Sequence, residues 1–428
     1  MNTFHKCRSF NHKKTAVKIS AVLALSLSCA QASGYKIPEQ SLSGLALAAA
    51  NVAAVDGADA SYYNPANMVF LSNPKSELEL LLTYVNLPHM TYKDNRAAGY
   101  DGHSKVERFA APLAHFVIPQ HYENWRLGFS MVVPGGLAKR WDSPYQAASA
   151  KKFSMKIIEA NPTAAYKMTD YLSVGFGARA VYSMGEVASD AGGFGSPTKM
   201  NMDGDSFDFG YNLALSVRPT ESLKLAATYR SKVDLTLSGD ADLTYYDQQN
   251  NALHQYSGSA GVEIPLPAVL DVAVAYTFFK KTTVEFVYER VYWSEYKGID
   301  FNFPNESGNE AAKSFGNPKD KNWRDSSTFR LGVTHQATDD LKLMAGFAID
   351  KTPAPENTLA FELPDSNSKN YSAGFEYKIN QDMSIGMAYL FSDKEKRNVK
   401  NDMLPIGLDG KFEDGGAHLV NMSFKYIF

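Results

Sequence analysis

The sequence predicts an all-β chain, a 14-stranded antiparallel transmembrane β-barrel with an N-terminal hatch, or plug, inside the lumen. Three observations lead there. Apolar and polar residues alternate with a period of two along many short segments. The connectors between those segments are short and long in turn. A stretch rich in Ala, Gly and Ser, residues 33–71, precedes the first alternating segment without a clear pattern of its own.

Residues 1–32 read as a secretory signal peptide: Lys6, Arg8, Lys13, Lys14 and Lys18 precede or flank an apolar run, and Ala30-Gln31-Ala32 is a small-x-small cleavage site. Cys7 and Cys29, the two cysteines of the chain, both fall in this segment, so disulfide and thiol chemistry are not expected in the rest. Removing the five cations takes the formal net charge from −3 to −8, which argues against nucleic acid as a partner. Beyond the signal no run approaches the roughly 20 apolar residues of a spanning helix. With 44% hydrophobic and 12% aromatic residues, the chain is either a secreted soluble protein or spans a membrane with strands.

Residues 33–75 form the expected hatch. The stretch SGYKIPEQSLSGLALAAANVAAVDGADASYYNPANMVFL is small enough to pack tightly inside a barrel and too short to hold a core alone. Pro38 and the Asn64-Pro65-Ala66 turn push neighbouring residues out of the helical region, so irregular backbone with short helical turns is predicted.

Residues 76–428 form the expected barrel. Strands are predicted near 76–92, 105–118, 125–133, 153–166, 172–186, 206–217, 222–237, 262–276, 282–293, 324–336, 341–350, 370–379, 383–391 and 416–428. The closing AHLVNMSFKYIF places His418, Val420, Met422, Phe424, Tyr426 and Phe428 on one face and Ala417, Leu419, Asn421, Ser423, Lys425 and Ile427 on the other. A soluble sandwich also alternates. Connector lengths separate the two: PQHYEN, KMTDY, RPTES, TFFKK, ATDD and Asn380-Gln381-Asp382 are short, and between them lie long loops, up to the charged segment 294–323. Short turns on one rim and long loops on the other characterise an outer-membrane barrel, and an even strand number puts both barrel ends at the short-turn rim. So wide a lumen is not filled by wall side chains, hence the hatch.

Sites for chemistry are sparse. No HExxH, P-loop, GxSxG or EF-hand motif is present after residue 32, and the nine histidines of the chain show no metal-ligand spacing. Gly175-Phe176-Gly177-Ala178-Arg179-Ala180 imitates a dinucleotide fingerprint, but it lies mid-strand with Gly175, Gly177 and Arg179 facing the lumen. Asp203-Gly204-Asp205 reads as a loop-tip turn, with calcium contact as the alternative. At Pro134-Gly135-Gly136 the third strand loses a ladder donor and gains two permissive residues, so either a kink in the wall or an ordinary strand end is expected there. At Trp323-Arg324-Asp325, Arg324 is in phase with the inward set Thr328, Arg330, Gly332 and Thr334, where it either holds an anionic headgroup or makes a rim ion pair.

The chain resembles the outer-membrane long-chain fatty acid transporter (FadL) family, which also includes aromatic-hydrocarbon uptake proteins. The resemblance is carried by the hatch stretch with its Asn64-Pro65-Ala66, by VVPGGLAKRW, WRDSSTFRLG, YSAGFEYKI and DKTPAPENTLAFELPD, and by the aromatic terminus. It implies a fourteen-stranded barrel closed by a hatch, with an inward kink in the third strand at Pro134, Gly135 and Gly136 that opens a lateral passage to the bilayer. It also implies that Arg324 stands where the fatty-acid-binding member has a lysine near the ligand carboxylate. A second cationic contact of the family has no counterpart, and the corresponding fifth-strand region reads Tyr182-Ser183-Met184.

The expected function is passive import of hydrophobic small molecules, long-chain fatty acids first, captured in a lumenal pocket and released sideways. Uptake of neutral aromatic or aliphatic hydrocarbons is the alternative, and an outer-membrane barrel hydrolase is the alternative of another class. No enzyme activity, cofactor or metal is expected. The expected partners are the hydrophobic ligand, outer-membrane lipid and lipopolysaccharide, with the protein a monomer in the bacterial outer membrane.

Overall fold

The computed structural model describes residues 34–120, 124–304, 308–402 and 407–428. The signal segment, Ser33 and part of the first short turn lie outside the described residues. Fourteen antiparallel strands close on themselves. They are β1 (Glu77–Leu87), β2 (Glu107–Val117), β3 (Trp125–Arg140), β4 (Lys152–Lys167), β5 (Leu172–Asp190), β6 (Lys199–Val217), β7 (Leu223–Arg230, resuming as Val233–Asp247), β8 (Ala252–Leu266, resuming as Val269–Phe278), β9 (Thr282–Val291), β10 (Ser326–Gln336), β11 (Leu341–Asp350), β12 (Ser368–Lys378), β13 (Met383–Lys394) and β14 (Gly416–Ile427). The last strand returns to the first, from Glu77↔Ile427 to Asn86↔His418. Ser76 and Phe428 exchange backbone hydrogen bonds of 3.0 and 3.1 Å, so both ends of the barrel meet at the short-turn rim.

Period-two alternation becomes two surfaces. On β6 the residues Phe207, Phe209 and Tyr211 point outward with 59%, 71% and 52% exposure, while Asn212 and Ser216 are buried. The same split runs along β14, where Asn421, Ser423 and Lys425 are buried and Met422 and Phe424 are exposed. Hydrocarbon solvates apolar groups and leaves polar ones unpaired, so polar side chains turn inward. Among the described residues no helix is long and apolar enough to cross a membrane.

Several boundaries differ from those read in the sequence. The third strand does not stop at 133 but runs on through Pro134-Gly135-Gly136 to Arg140, with a register shift between Val132 and Gly135. Residues 238–261, taken as a long loop, are the upper parts of β7 and β8, paired from Val233↔Leu266 to Asp247↔Ala252. Their connector is therefore short, against the expected alternation of lengths. Asp203-Gly204-Asp205 is no turn; it lies inside β6 and pairs with Ser238, Gly239 and Asp240. These extensions are polar and Gly-rich because they project past the apolar band, where backbone pairing needs no lipid-facing side chains. The first strand ends at Leu87, before Pro88, and Thr91–Asp94 joins Gly102–His103, Arg397–Asn401 and Leu408–Glu413 in a small sheet over the long-loop end.

Residues 34–71 lie within the barrel. They contain a one-turn helix α1 (Leu42–Ala46) capped by Ser41, whose Oγ accepts from Gly44 N at 2.8 Å, a short helix α2 (Ala60–Tyr63), and a 3-10 turn, Pro65–Phe70.

Candidate functional site

The Asn64-Pro65-Ala66 turn docks the end of the lumenal segment on the wall. Asn64 Oδ1 accepts from Ala66 N at 3.1 Å, and its Nδ2 donates to the Val52 carbonyl at 2.8 Å. Pro65 starts the turn, where its missing donor is no loss. The Ala66 carbonyl accepts from Ser173 Oγ on β5 at 2.7 Å. This approach is so close that a Cβ at Gly175 would lie 2.7 Å from the Pro65 carbonyl carbon. Gly175 and Gly177 thus face the lumen as read, and Arg179 beside them is buried against Glu159 at 2.9 Å.

Lumenal charges hold the rest of the segment. Glu285 on β9 accepts from three successive amides, Val52, Ala53 and Ala54, at 2.7, 2.6 and 3.1 Å. Glu289, two repeats of the alternation further, binds both Lys36 and Arg330, and Arg330 also donates to the Ala48 carbonyl at 3.0 Å. Arg126 reaches the Met68 carbonyl at 3.2 Å and the Lys75 carbonyl at 2.7 Å. Sequence phase places these side chains inward; it does not say what each one meets.

A gap opens in the wall where Pro134, Gly135 and Gly136 lie. β2 and β3 pair only from Ala114↔Met131 to Val117↔Gly128. At the long-loop end Lys105 N donates to the Arg140 carbonyl at 2.8 Å and Ser104 bridges Trp141. Between these two closures, Val106–Leu113 and Val132–Lys139 are not paired with each other, leaving an eyelet in the barrel. From inside, the beginning of the lumenal segment covers it. Ile37 N donates to the Pro134 carbonyl at 2.9 Å, Gly136 N donates to the Tyr35 carbonyl at 2.8 Å, and the Gln40 amide binds Val133. One signal in the sequence points to the β2 side of the eyelet: Pro112 stands mid-strand, a position a proline tolerates when one flank is an edge.

Next to the eyelet lies an apolar chamber of three adjoining cavities, all lined by Phe153. The first, about 40 Å³, is walled by Leu237, Ile264 and Phe301. The second, about 20 Å³, touches Tyr35, Leu137, Tyr296 and Trp323. The third, about 100 Å³, reaches Lys319, Lys321 and Glu362. Such volumes hold a few waters, so a long ligand requires the lining side chains to move. Tyr35 belongs to both features. It packs edge-on against Trp293 at 4.8 Å and lines the second cavity, while its backbone closes the eyelet.

Arg324 does not line the chamber. It is exposed just before β10, and its N–H donates to the Pro353 carbonyl at 2.9 Å. The expected rim pair is made by a neighbour: Asp325 meets Arg290 at 3.2 Å. Burial opposes ionisation of Asp325, but the Ser294 N–H and Arg290 outweigh it and hold the carboxyl below its usual range. Phase fails at Arg324 because the chain leaves the pleat before Ser326. The cation that the sequence analysis missed is Lys321, 7% exposed, which lines two of the cavities and is ion-paired to Glu362. Burial opposes the charge on Glu362 as well, and Lys321 keeps that carboxyl below the ordinary carboxylate range. The connector after β11 is fastened to the lumenal segment through Asp365, which accepts from Gly34 N at 3.4 Å, Thr352 Oγ1 at 2.6 Å and Lys394 Nζ at 3.1 Å. Among the described residues no group of His, Cys, Asp and Glu could hold a metal.

An aromatic outer face, a closed barrel with a filled lumen and an apolar chamber inside its long-loop half define an outer-membrane transport barrel. The sequence profile of the family described as "Outer membrane protein transport protein (OMPP1/FadL/TodX)" matches residues 23–428, and the chain belongs to that family. Outer membrane protein P1 of Haemophilus influenzae is 24% identical over 89% of this chain and 90% of its own. The long-chain fatty acid transport protein of Escherichia coli K12 is 22% identical over 97% and 98%. A Pseudomonas aeruginosa FadL homologue of known structure superposes with a TM-score of 0.80 at 19% identity, covering 92% of this chain and all, 100%, of that one. The Pseudomonas putida toluene transporter TodX superposes with a TM-score of 0.69 at 17% identity, over 93% and 99%. The chain is thus an outer-membrane transporter of hydrophobic compounds and not a barrel hydrolase.

Proposed function

We propose that the protein imports long-chain fatty acids by a passive route. The ligand enters the chamber from the long-loop side, and the hatch, residues 33–75 anchored at Asn64, Pro65 and Ala66, closes the lumen to water-soluble solutes. Displacement of Tyr35 then joins the chamber to the eyelet at Pro134, Gly135 and Gly136, and the ligand leaves sideways into lipid. The observation that carries this reading is the double duty of Tyr35, whose ring lines the chamber on one side while its backbone, with that of Ile37, pairs with the bent strand on the other. A ligand that takes the place of the Tyr35 ring loosens the cover of the gap by the same motion.

The fatty acid reading rests on relatives named for that transport and on the cation at the chamber's end. Lys321 is the residue we assign to the carboxylate, in competition with Glu362; Arg324, exposed at the mouth, serves at most as a contact on entry. Neutral hydrocarbon uptake is the second reading, favoured by the apolar lining of the first cavity and by relatives that are toluene transporters. Binding of oleate and of toluene to the purified protein in nonionic detergent, for wild type and Lys321→Ala, decides between them. Oleate binding lost in the variant with toluene unchanged supports fatty acids. Tight toluene binding with weak oleate binding in both proteins overturns that reading.

A further inference from the structure

Cations gather on the outside of the wall at the long-loop end of the eyelet. Pairing sets Arg140 opposite Lys152 and Gly136 opposite Lys156, on the face opposite to the buried Phe153, Met155 and Ile157. That face is the outer one. Arg108 on β2 and Glu186 on β5 complete a cleft of about 350 Å³. Only part of this charge is matched. Arg140 is clasped by Glu107 through two hydrogen bonds of 2.6 Å, and Lys152 is ion-paired to Glu186. Arg108 donates to neutral Asn86 at 3.3 Å, and Lys156 has neither hydrogen bond nor ion pair among the described residues.

The second observation comes from the inner side of the gap. Lys139 sits opposite Phe153 on the lumenal face and is 5% exposed, yet it lines the same outer cleft through the eyelet. Its ammonium also has no hydrogen-bond or ion-pair partner among the described residues. A buried charge without a partner is costly, and lysines and arginines on the lipid face of a barrel are tolerated chiefly at its edges, where headgroups lie. Five cations against two carboxylates, with one cation buried at the floor, make a site for an anion that the chain itself does not supply.

We propose that this cleft binds the phosphorylated headgroup of an outer-leaflet glycolipid, with Arg108 and Lys156 holding a phosphate and Lys139 contacting it from below. Phosphate suits the set because it takes paired hydrogen bonds from a guanidinium and a point charge from each ammonium. The acyl chains of such a lipid would lie along the exposed apolar wall below, and its headgroup would stand beside the outer mouth of the eyelet.

The test titrates the purified protein in nonionic detergent with bis-phosphorylated lipid A and with the same lipid dephosphorylated, read by native mass spectrometry. Wild type is expected to bind the phosphorylated lipid about tenfold more tightly, and Arg108→Gln/Lys156→Gln to lose most of that preference while keeping heat-modifiable migration. Glu186→Gln, which releases Lys152 and removes no cation, is expected to tighten binding. Inorganic phosphate at millimolar concentration should not displace the lipid. Equal binding of the two lipids, or an unchanged preference in the double variant together with no gain in Glu186→Gln, overturns the proposal. So does displacement by free phosphate, which would make this a simple anion site, or by oleate with no effect of dephosphorylation, which would assign the cleft to the transported ligand.

Discussion

Gln40 and Val133 are joined at both ends of one side-chain amide: Val133 N donates to Gln40 Oε1 at 2.8 Å, and Gln40 Nε2 donates to the Val133 carbonyl at 2.9 Å. A neighbouring strand makes the same pair of bonds with a residue in a sheet. Here β2 has parted from β3, and a residue of the lumenal segment takes its place. The Gln40 carbonyl is bound in turn by His115 of β2 at 2.8 Å, so one residue ties both lips of the eyelet to the hatch.

Replacing Gln40 by Leu leaves both backbone groups of Val133 without partners, each at a cost of about 1–3 kcal/mol. The barrel remains, since its ladders are untouched. Hydrogen exchange at Val133 and Ile37 should accelerate by at least about tenfold, and exchange along β12 to β14 should not change. Equal exchange at all these amides in variant and wild type would remove Gln40 as the fastener of the cover.

Deleting residues 33–69 should convert the plugged barrel into a channel for hydrophilic solutes. Liposome swelling in a sugar solution measures this directly, with heat-modifiable migration as the check on assembly. An assembled deletion variant that admits sugar no faster than wild type would show that the lumenal segment is not the barrier.

At Gly175 any side chain meets the Pro65-Ala66 peptide. Gly175→Val should therefore push the Asn64-Pro65-Ala66 turn off β5, at about 1–3 kcal/mol for overpacking, and raise sugar permeability part of the way towards the deletion. Gly99→Val, at an open loop position, is the control for general effects of added bulk and should admit no sugar. Permeability equal in the two variants would detach the turn from the seal.

Lys321→Ala should weaken oleate binding about tenfold to a hundredfold, the worth of a charge-assisted hydrogen bond of about 1.5–3 kcal/mol. Glu362→Gln should strengthen it, because the ligand carboxylate then meets no competing acid. Arg324→Ala should change it less than about threefold, as befits an exposed side chain outside the chamber. A large loss on Arg324→Ala with none on Lys321→Ala would return the carboxylate contact to the mouth of β10.

Much of this protein is legible in one dimension because alternation is a local property of extended backbone. Phe207, Phe209 and Tyr211 face lipid and Arg179, Arg330 and Gly175 face the lumen on the strength of their neighbours in sequence alone. The rim at which the barrel ends meet follows from an even count of strands and from the lengths of the turns. The lumenal segment could be read as small and irregular from its composition, with Asn64-Pro65-Ala66 as its turn.

Contacts between residues far apart in sequence could not be read that way. Alternation says that Glu285 points inward; only the fold brings it beneath the amides of Val52 to Ala54. Polar composition made 238–261 resemble a loop, and the pairing of β7 with β8 decided that it is strand. Arg324 kept the inward phase on paper but lies outside β10, where the pleat no longer sets direction. The eyelet is the clearest case. Pro134-Gly135-Gly136 permits a bend, but whether the strand ends, bulges or parts from its neighbour depends on what else can satisfy its backbone, and Tyr35, Ile37 and Gln40 supply those bonds from about a hundred residues away.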